Sequence, residues 1–315
     1  MRIVFAADLH GSRKLYGQLF SYAIQENARC VILGGDLLPT RLDNPWKLLT
    51  GRADFSRALS VQLKFIDSFL APALEGLAQD HPEIQVLYIP GNHDWRRAIE
   101  HLVRAAHRAR CIHGRTVSLG GIDVAGYGCT TDSAFWVKDF VRRDLPNSGY
   151  TKSRFPLVST SDGITPSPDG LYALGRPSIE EELSGLGCTP GGRSIFVSHC
   201  PPYSSGLDTL HTSRPIGSRA IAEFIRKQAP LVSLHGHIHE APRMCDFYRV
   251  SLGRTLSINP GHDPGELHAV AFDSDDPAKS LVHRVFGTGP AGRIGSMERR
   301  VRAAKSFLME KIFLT

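Results

Sequence analysis

The chain has 315 residues, of which 42% are hydrophobic and 22% charged, as is usual for a globular protein. A formal charge of +6 favours phosphate substrates, nucleic acid or an acidic surface as partners, although it also serves solubility alone. No segment is long and apolar enough for a signal peptide or a membrane span, which excludes a membrane protein. The six cysteines form no Cys-x-x-Cys pair and indicate reduced thiols, so we expect a cytoplasmic protein.

The first hundred residues alternate between short apolar runs and amphipathic segments. Apolar runs at 3–7, 30–33 and 84–89 predict buried strands. Helical periodicity over 16–27 and over about 54–79 predicts two helices between them. This order of strands and helices is typical of a layered α/β sheet.

The middle of the chain has a different composition. Residues 116–127 predict a β-hairpin with its turn at Gly120-Gly121. Residues 128–192 are rich in Gly, Pro, Ser, Thr and Asp, and they predict a long loop with one helix that begins near Ser178. We expect this segment to be a surface insertion beside a functional site, with a disordered segment as the alternative.

The last third of the chain returns to strand-like runs, at 194–198, 231–234, 255–258, 267–272 and 281–286. Residues 294–313 are basic and carry apolar side chains at helical spacing. We therefore expect one domain over 1–290 and a basic amphipathic helix over 291–315. That helix is expected to dock on its own domain, and a dimer contact or a nucleic-acid contact is the alternative.

Side chains that bind metals follow five of the apolar runs. In open α/β sheets, ligands bind beyond the carboxyl ends of the strands, so these five segments can deliver side chains to one crevice. Their oxygen and nitrogen donors suit Mn, Fe, Zn or Co. Each residue alone has an ordinary use in a turn or a core, and only the set points to a metal site. The candidate metal ligands are Asp8, His10, Asp36, Asn92, His199, His237 and His239.

This donor set predicts a two-metal centre. Asp36 is expected to bridge the two cations because it stands alone on its loop. Asp8 and His10 are two residues apart and can leave the strand end in the same direction. His237 and His239 share that spacing, and each could reach a different ion. We expect two divalent cations, Mn²⁺ first, with Fe, Zn, Co and Ni as alternatives, and a bridging hydroxide that attacks phosphorus.

His93 stands apart from the ligands because its neighbour Asn92 is expected to face the metal. We expect His93 to project over the site and to protonate or stabilise a leaving group. Asp94 is the expected partner that fixes the tautomer of His93. Arg96 and Arg97 open the next helix and are candidates for binding phosphate, although surface arginines are common. Tyr203, His211 and His262 have no supporting spacing, and we expect ordinary structural roles for them.

The order of these motifs resembles the calcineurin-like metallophosphoesterase superfamily over about residues 1–275. The matching segments are Asp8-Leu9-His10, Gly35-Asp36, Gly91-Asn92-His93-Asp94, His199 and Gly236-His237-Ile238-His239. The resemblance implies a four-layer α/β/β/α sandwich with two mixed β-sheets flanked by helices. It also implies an ion held by Asp8, His10, Asp36 and His239, an ion held by Asp36, Asn92, His199 and His237, and His93 as the leaving-group acid.

Two differences from the motifs of known branches argue against membership of those branches. Purple acid phosphatases carry a Tyr ligand three residues after the bridging Asp, where this chain has Pro39. Protein Ser/Thr phosphatases have Glu at the position of Asp94. The chain is more similar to small prokaryotic members, some of which are cyclic-nucleotide phosphodiesterases.

These patterns predict a binuclear-metal-dependent phosphoesterase that hydrolyses a small phosphomonoester or phosphodiester. A nuclease of the same fold is the first alternative, motivated by the net charge and the basic tail. A non-catalytic metal-binding scaffold is the second, but such a protein should have lost ligands and no ligand position is lost here. We expect residues 128–192 and the segment around Trp46 to shape the pocket.

Overall fold

The computed structural model describes residues 1–40, 55–153, 155–167, 170–187, 192–295, 297 and 301–304. The segment around Trp46 and Cys188 lie outside these residues. The strands of the described residues are β1 (Arg2–Ala6), β2 (Cys30–Gly34), β3 (Gln85–Ile89), β4 (Ala109–Cys111), β5 (Arg115–Leu119), β6 (Ile122–Tyr127), β7 (Thr130–Thr131), β8 (Val141–Arg142), β9 (Leu157–Thr160), β10 (Gly163–Pro166), β11 (Ser194–Ser198), β12 (Val232–Leu234), β13 (Arg249–Leu252), β14 (Thr255–Ile258), β15 (Val270–Asp273) and β16 (Val282–His283).

The helices are α1 (Arg13–Gln25), α2 (Ser56–Phe65), α3 (Ala71–Asp80), α4 (Arg96–Ala105), α5 (Leu171–Leu174), α6 (Ile179–Ser184), α7 (Arg219–Gln228), α8 (Ala241–Cys245) and α9 (Pro277–Ser280). A π-helical turn at Ile66–Leu70 joins α2 to α3, within the region predicted as one long helix. None of the helices in the described ranges is long and apolar enough to cross a membrane.

Two six-stranded mixed sheets form the centre of the molecule. The first has the strand order β16-β15-β1-β2-β3-β4, and β1 to β4 run parallel. The second has the order β13-β14-β12-β11-β6-β5, in which β6, β11, β12 and β14 run parallel. Two-stranded sheets β7-β8 and β9-β10 lie within the segment that follows β6.

The alternation of side chains along β1 shows how the layers form. Ile3 and Phe5 belong to a core that also contains residues of the second sheet, such as Val197. Val4 and Ala6 belong to a core that contains residues of the flanking helices. Successive side chains of a strand point to opposite faces, so a strand that is covered on both faces reads as a continuous apolar run. The result is the α/β/β/α sandwich expected from the sequence.

Residues 128–192 differ most from their expectation, because they contain four short strands and two helices where one helix and a long loop were predicted. The prediction of a surface segment was also wrong in part. Trp136 is buried, and its ring lies 4.9 Å from Phe55 and 5.5 Å from Trp95 between centroids. The polar composition of residues 128–192 gave no indication of this buried aromatic side chain. The helix near Ser178 is confirmed, with a capping box between Ser178 and Glu181.

Other differences concern short elements. Strands β4 and β13 and helix α7 were not predicted from the sequence. The strand predicted over 281–286 ends at His283, where the chain turns and His283 pairs with Gly287. Residues 291–295 are not helical, although the C-terminal helix was predicted over 291–315. Residues 301–304 are helical, and most of the remaining tail lies outside the described residues.

Candidate metal centre

The first two ligand loops are held against each other by backbone hydrogen bonds. Asp8 donates its N–H to the carbonyl of Gly35 at 3.0 Å, and His10 donates to the carbonyl of Asp36 at 2.8 Å. Asp8, His10 and Asp36 have φ angles of 60°, 44° and 52°, in the left-handed region that L-residues rarely adopt. Such strain persists only where the surrounding structure holds the backbone in place, and it concentrates at functional sites.

Four side chains from three loops converge to form one donor cluster. One ligand atom from each of Asp8, His10, Asp36 and His239 lies within 4.8 Å of the others. His239 Nε2 lies 3.3 Å from Asp8 Oδ1 and 3.2 Å from His10 Nε2. Two carboxylates and two imidazoles at these distances form a donor set that suits a divalent cation.

His199 and His237 lie beside this cluster, and Asn92 is in the loop whose His93 N–H donates to Asp36. His199 Nε2 is 3.4 Å from Asp36 Oδ2 and 3.9 Å from Asp8 Oδ1, and the His199 and His237 rings are 5.3 Å apart between centroids. Asn92 Oδ1 and His199 Nε2 are buried and form no hydrogen bond with any of the described residues. Buried polar atoms are nearly always satisfied, so these two atoms fit the donors of a second cation.

A glycine permits this close approach. A Cβ at Gly91 would clash with the Asp36 side chain and would lie 2.7 Å from His199 Nε2. Asp36 also accepts a hydrogen bond at Oδ1 from the backbone N–H of His93, at 2.8 Å. The loop after β3 therefore packs directly on the Asp36 carboxylate, and a side chain at position 91 would push the two loops apart.

The electrostatics of the cluster favour cations. Burial opposes ionisation of Asp36, but the surrounding histidines hold its pKa well below the usual range. Burial also opposes a charge on His199, yet the Asp36 and Asp8 carboxylates raise its pKa to about 9. Burial lowers the pKa of His10 and of His237 to about 3. The buried carboxylates thus remain ionised and stabilise positive charge next to them, while the neutral imidazoles keep lone pairs for coordination.

His93 lies over the cluster as expected, but with other partners than predicted. Its Nε2 is 3.9 Å from Asp36 Oδ2, and its Nδ1 is 2.8 Å from the hydroxyl oxygen of Thr40. The Phe135 ring stacks on the imidazole, with centroids 4.2 Å apart at an angle of 24°. Thr40 and Phe135 therefore orient His93, and no spacing in the sequence identifies either of them.

The predicted pair of Asp94 with His93 is not formed. Asp94 is buried, and its carboxylate accepts hydrogen bonds from the backbone N–H groups of Leu37, Leu38 and Gly91 at 2.9–3.1 Å. Burial, together with the nearby charge of Asp36, raises the pKa of Asp94 to about 7. Adjacent side chains leave the turn in different directions, so Asp94 ties two ligand loops together and does not orient the imidazole.

Arg96 and Arg97, the candidates for binding phosphate, both contact protein groups. The Arg96 guanidinium donates to the Ser159 carbonyl at 3.0 Å, and Arg97 pairs with Glu100 at 2.9 Å. Both guanidinium groups thus have protein partners.

Tyr203 has the structural contact expected for it, because the Arg219 guanidinium lies 4.4 Å from its ring centroid.

His262 belongs to the site, contrary to the ordinary role expected from its sequence context. Its ring centroid is 4.7 Å from that of His239 and 5.4 Å from that of His10. Its backbone N–H donates to the His239 carbonyl at 3.2 Å. His211 lies further out, with its Nε2 3.8 Å from Glu240. His262 lies a few residues after β14, and that position beyond a strand end was its only sequence signal.

Comparisons with solved structures support the fold. One solved structure has a TM-score of 0.59 and 16% identity, and the match covers 90% of this chain and 98% of that one. TT1561 of Thermus thermophilus has a TM-score of 0.52 and 18% identity, over 90% and 97% of the two chains. A dimetal phosphatase from Danio rerio matches at a TM-score of 0.46 and 14% identity, over 86% and 92%, which is too distant to carry an argument. At these identities the likeness shows the fold alone.

Comparison with protein families shows which family the chain belongs to. A search of the curated proteins found no match. The calcineurin-like phosphoesterase family matches residues 1–241, which include all seven candidate ligands and His93. The chain belongs to the calcineurin-like phosphoesterase family and is a metal-dependent phosphoester hydrolase.

Proposed function

We propose that the chain hydrolyses a phosphomonoester or phosphodiester of a small molecule at a two-metal centre. One observation carries the proposal. Asp36 Oδ2 lies 3.4 Å from His199 Nε2 and 3.9 Å from both His10 Nε2 and His93 Nε2. A buried carboxylate among imidazoles of three different loops has the position that a bridging ligand requires.

The remaining donors divide between the two sides of Asp36. Asp8, His10 and His239 form the first set, and Asn92, His199 and His237 form the second. Two divalent cations bound there would activate water near neutral pH and neutralise negative charge on the phosphate oxygens. The ligand loops hold these donors before substrate binds, because their backbones are tied to each other and to the strand ends.

His93 is placed to act on the leaving group. Its side chain is 24% exposed, whereas those of Asp36 and His199 are 1% and 0% exposed, so substrate has access to it. Thr40 and Phe135 hold the ring from two sides. From this position His93 would donate a proton to the departing oxygen or hydrogen-bond to it.

The test is hydrolysis of p-nitrophenyl phosphate and bis(p-nitrophenyl) phosphate after chelation and after readdition of a metal. We expect activity to disappear with chelator, to return best with Mn²⁺, and to be absent in the Asp36→Ala variant. Asp162→Ala, at an exposed carboxylate, should behave as wild type. Metal content measured in parallel should fall in Asp36→Ala. Full activity in the chelated wild type would contradict the proposal.

Choosing between the metals needs reconstitution with Fe, Zn, Co and Ni under the same conditions, since a mixed N/O donor set accepts several ions. The nuclease alternative has a separate test, which is steep salt dependence of DNA binding. Cytoplasmic location, the domain boundary near 290 and a dimer contact by the C-terminal helix stay predictions.

A further inference from the structure

A cavity of about 300 Å³ adjoins the candidate metal centre on the side of His239 and His262. It is bounded beyond them by the start of α8, by the segment after β14 and by residues of the C-terminal tail. Its lining includes the side chains of His268, Arg243, Glu240, Asp263 and Arg302. Because it shares His239 and His262 with the centre, a phosphate ester bound there can extend its alcohol portion into this space.

His268 supplies an unused hydrogen-bond acceptor in the wall. Its ring is buried, and Nδ1 lies 3.1 Å from the carbonyl oxygen of Pro260, which can only accept, so Nδ1 carries the proton. In the neutral ring Nε2 is then an acceptor. Burial lowers the pKa of His268, which favours that neutral form. Nε2 is buried and forms no hydrogen bond with any of the described residues, so a hydroxyl or N–H donor that gains contact with it when a ligand binds would satisfy it.

The Pro260 carbonyl accepts from a second histidine, His283, as well as from His268. His283 Nε2 lies 3.0 Å from the same oxygen, while His283 Nδ1 accepts from the backbone N–H groups of Val285 and Phe286. The His283 ring is therefore neutral and donates at Nε2. With both imidazoles donating to Pro260, His268 has no alternative protein partner for its Nε2 within this network.

The charges of the described lining residues are balanced. Among them, Arg243 and Arg302 contribute two positive charges, and Glu240 and Asp263 contribute two negative charges. Glu240 accepts from the backbone N–H of His211, and Asp263 accepts from that of Gly265. A carboxylate has about four lone-pair sites, so both can accept further hydrogen bonds. Such a lining gives a second phosphate group no net attraction, because the two carboxylates offset the two guanidinium groups, and it offers both donors and acceptors to hydroxyl groups.

We propose that this cavity binds the alcohol portion of the substrate and selects an uncharged, polyhydroxylated alcohol such as a triol or a sugar. The proposal rests on the proposed phosphoesterase function and adds a substrate class to it. His268 Nε2 and the carboxylates of Glu240 and Asp263 accept hydrogen bonds from hydroxyl groups, and the Arg243 guanidinium donates to a hydroxyl oxygen. The cavity holds about ten water volumes at ~30 Å³ each, which fits a small polyol but not an oligonucleotide.

The test compares two non-hydrolysable phosphonates of equal chain length, (3,4-dihydroxybutyl)phosphonate and butylphosphonate. Isothermal titration calorimetry of the Mn²⁺-loaded wild type should give about tenfold tighter binding of the dihydroxy compound. The His268→Phe variant keeps the ring shape without the acceptor, and the exposed Arg243→Met keeps the aliphatic stem. Each should reduce the ratio of the two dissociation constants toward one. His107→Phe, at an exposed histidine outside the lining, should keep the wild-type ratio.

Three results would overturn the proposal. Equal affinity of the wild type for the two phosphonates would show that the cavity does not select hydroxyl groups. A preference that survives in both His268→Phe and Arg243→Met would show that these lining residues do not cause it. Tighter binding of butane-1,4-bisphosphonate than of the dihydroxy compound would show an anion site. Hydrolysis of p-nitrophenyl phosphate by the same sample tests the phosphoesterase function separately, because the affinity ratio requires no turnover. Should His268→Phe fail to fold, Arg243→Met and the wild-type ratio still decide.

Discussion

The ligand loops and the cavity wall beside them are held in different ways. The loops follow directly on central strands, their backbones bond to each other, and Asp8, His10, Asp36 and His237 are in the left-handed region. The wall combines the start of α8, residues 262–268 and a C-terminal segment, which are remote in sequence. The strained backbone of the loops holds the donor atoms in place, whereas the wall depends on contacts between remote segments, such as the Ile294 N–H that donates to the Arg243 carbonyl. On the two proposals above, the loops carry the chemistry and the wall carries the selectivity.

Among variants that leave every candidate metal ligand in place, removal of the His93 imidazole should give the largest effect on turnover. We expect His93→Asn to lower kcat about 10²–10⁴-fold, because a positioned general acid contributes that much. The loss should be greater for an alkyl phosphate, whose leaving oxygen needs a proton, than for p-nitrophenyl phosphate. Steady-state kinetics on the two esters, with metal content measured in each sample, checks this prediction.

Asp94→Asn is the matched control for His93. Asp94 bonds to three backbone N–H groups of the ligand loops, so its change should lower the free energy of unfolding by about 1–3 kcal/mol. Its effect on kcat should be equal for the two esters. A leaving-group dependence in Asp94→Asn like that of His93→Asn would restore the pairing that the sequence suggested.

Two buried asparagines should separate function from stability. Asn92 Oδ1 has no hydrogen-bond partner among the described residues, whereas Asn259 Nδ2 donates to the carbonyls of Leu207, Gly236 and Ile238. Asn92→Leu should reduce activity at least about 100-fold while the metal-free protein stays as stable as wild type, since no hydrogen bond of Oδ1 is lost. Asn259→Leu should lower unfolding free energy by about 2–4 kcal/mol. Activity and urea denaturation with chelator provide the measurements.

The opposite pattern would remove Asn92 from the ligands. If Asn92→Leu were as destabilised as Asn259→Leu and retained activity, the orphaned oxygen would have a structural partner and not a cation. The comparison uses the same substitution at two buried sites, so differences in side-chain volume cancel.

A smaller effect is expected at Phe135, where the segment after β6 meets the ligand loops. Its stacking on His93 restricts the imidazole, and an aromatic pair of this kind is worth about 0.5–1.5 kcal/mol. Phe135→Ala should therefore lower kcat about 2–10-fold with unchanged metal content. Phe20→Ala, which removes a ring packed on Tyr16 within the first helix, should change stability but not kcat. Equal kcat in Phe135→Ala and wild type would show that Thr40 alone orients His93.

The sequence predicted the central sheets and the ligand loops because both have local signatures. A strand covered on both faces is apolar throughout, and the residue after it must turn, so Asp36 and Asn92 were recognisable beside glycines. Thr40, Phe135 and His262 were missed because their roles depend on contacts between distant segments. The partner of His93 was wrong for the same reason, since adjacency in sequence does not determine where the Asp94 carboxylate points.

The pH dependence of stability involves His283, which shares the Pro260 carbonyl with His268 of the wall. Burial lowers the pKa of His283 to about 3, against about 6.5 in an unfolded chain. Its Nδ1 accepts two backbone N–H groups, so a proton there would repel both donors. Between these two pKa values the unfolded state binds more protons, so the stability present above about pH 6.5 is lost as the pH falls toward 3. At pH 5 this one group should cost ~2 kcal/mol relative to pH 7 and above.

Urea denaturation with chelator at pH 7 and pH 5 measures how the free energy of unfolding changes with pH, without a contribution from metal release. His283→Gln should be less stable at pH 7, because the hydrogen bond to Pro260 changes, but its loss between pH 7 and pH 5 should be smaller by ~2 kcal/mol. His107→Gln, at an exposed histidine, should retain the wild-type slope. An unchanged slope in His283→Gln would mean that His283 titrates normally. His283 would then carry a proton at pH 5, and the neutral imidazole pair on Pro260 would be confined to near-neutral pH, while the ligand loops would be unaffected.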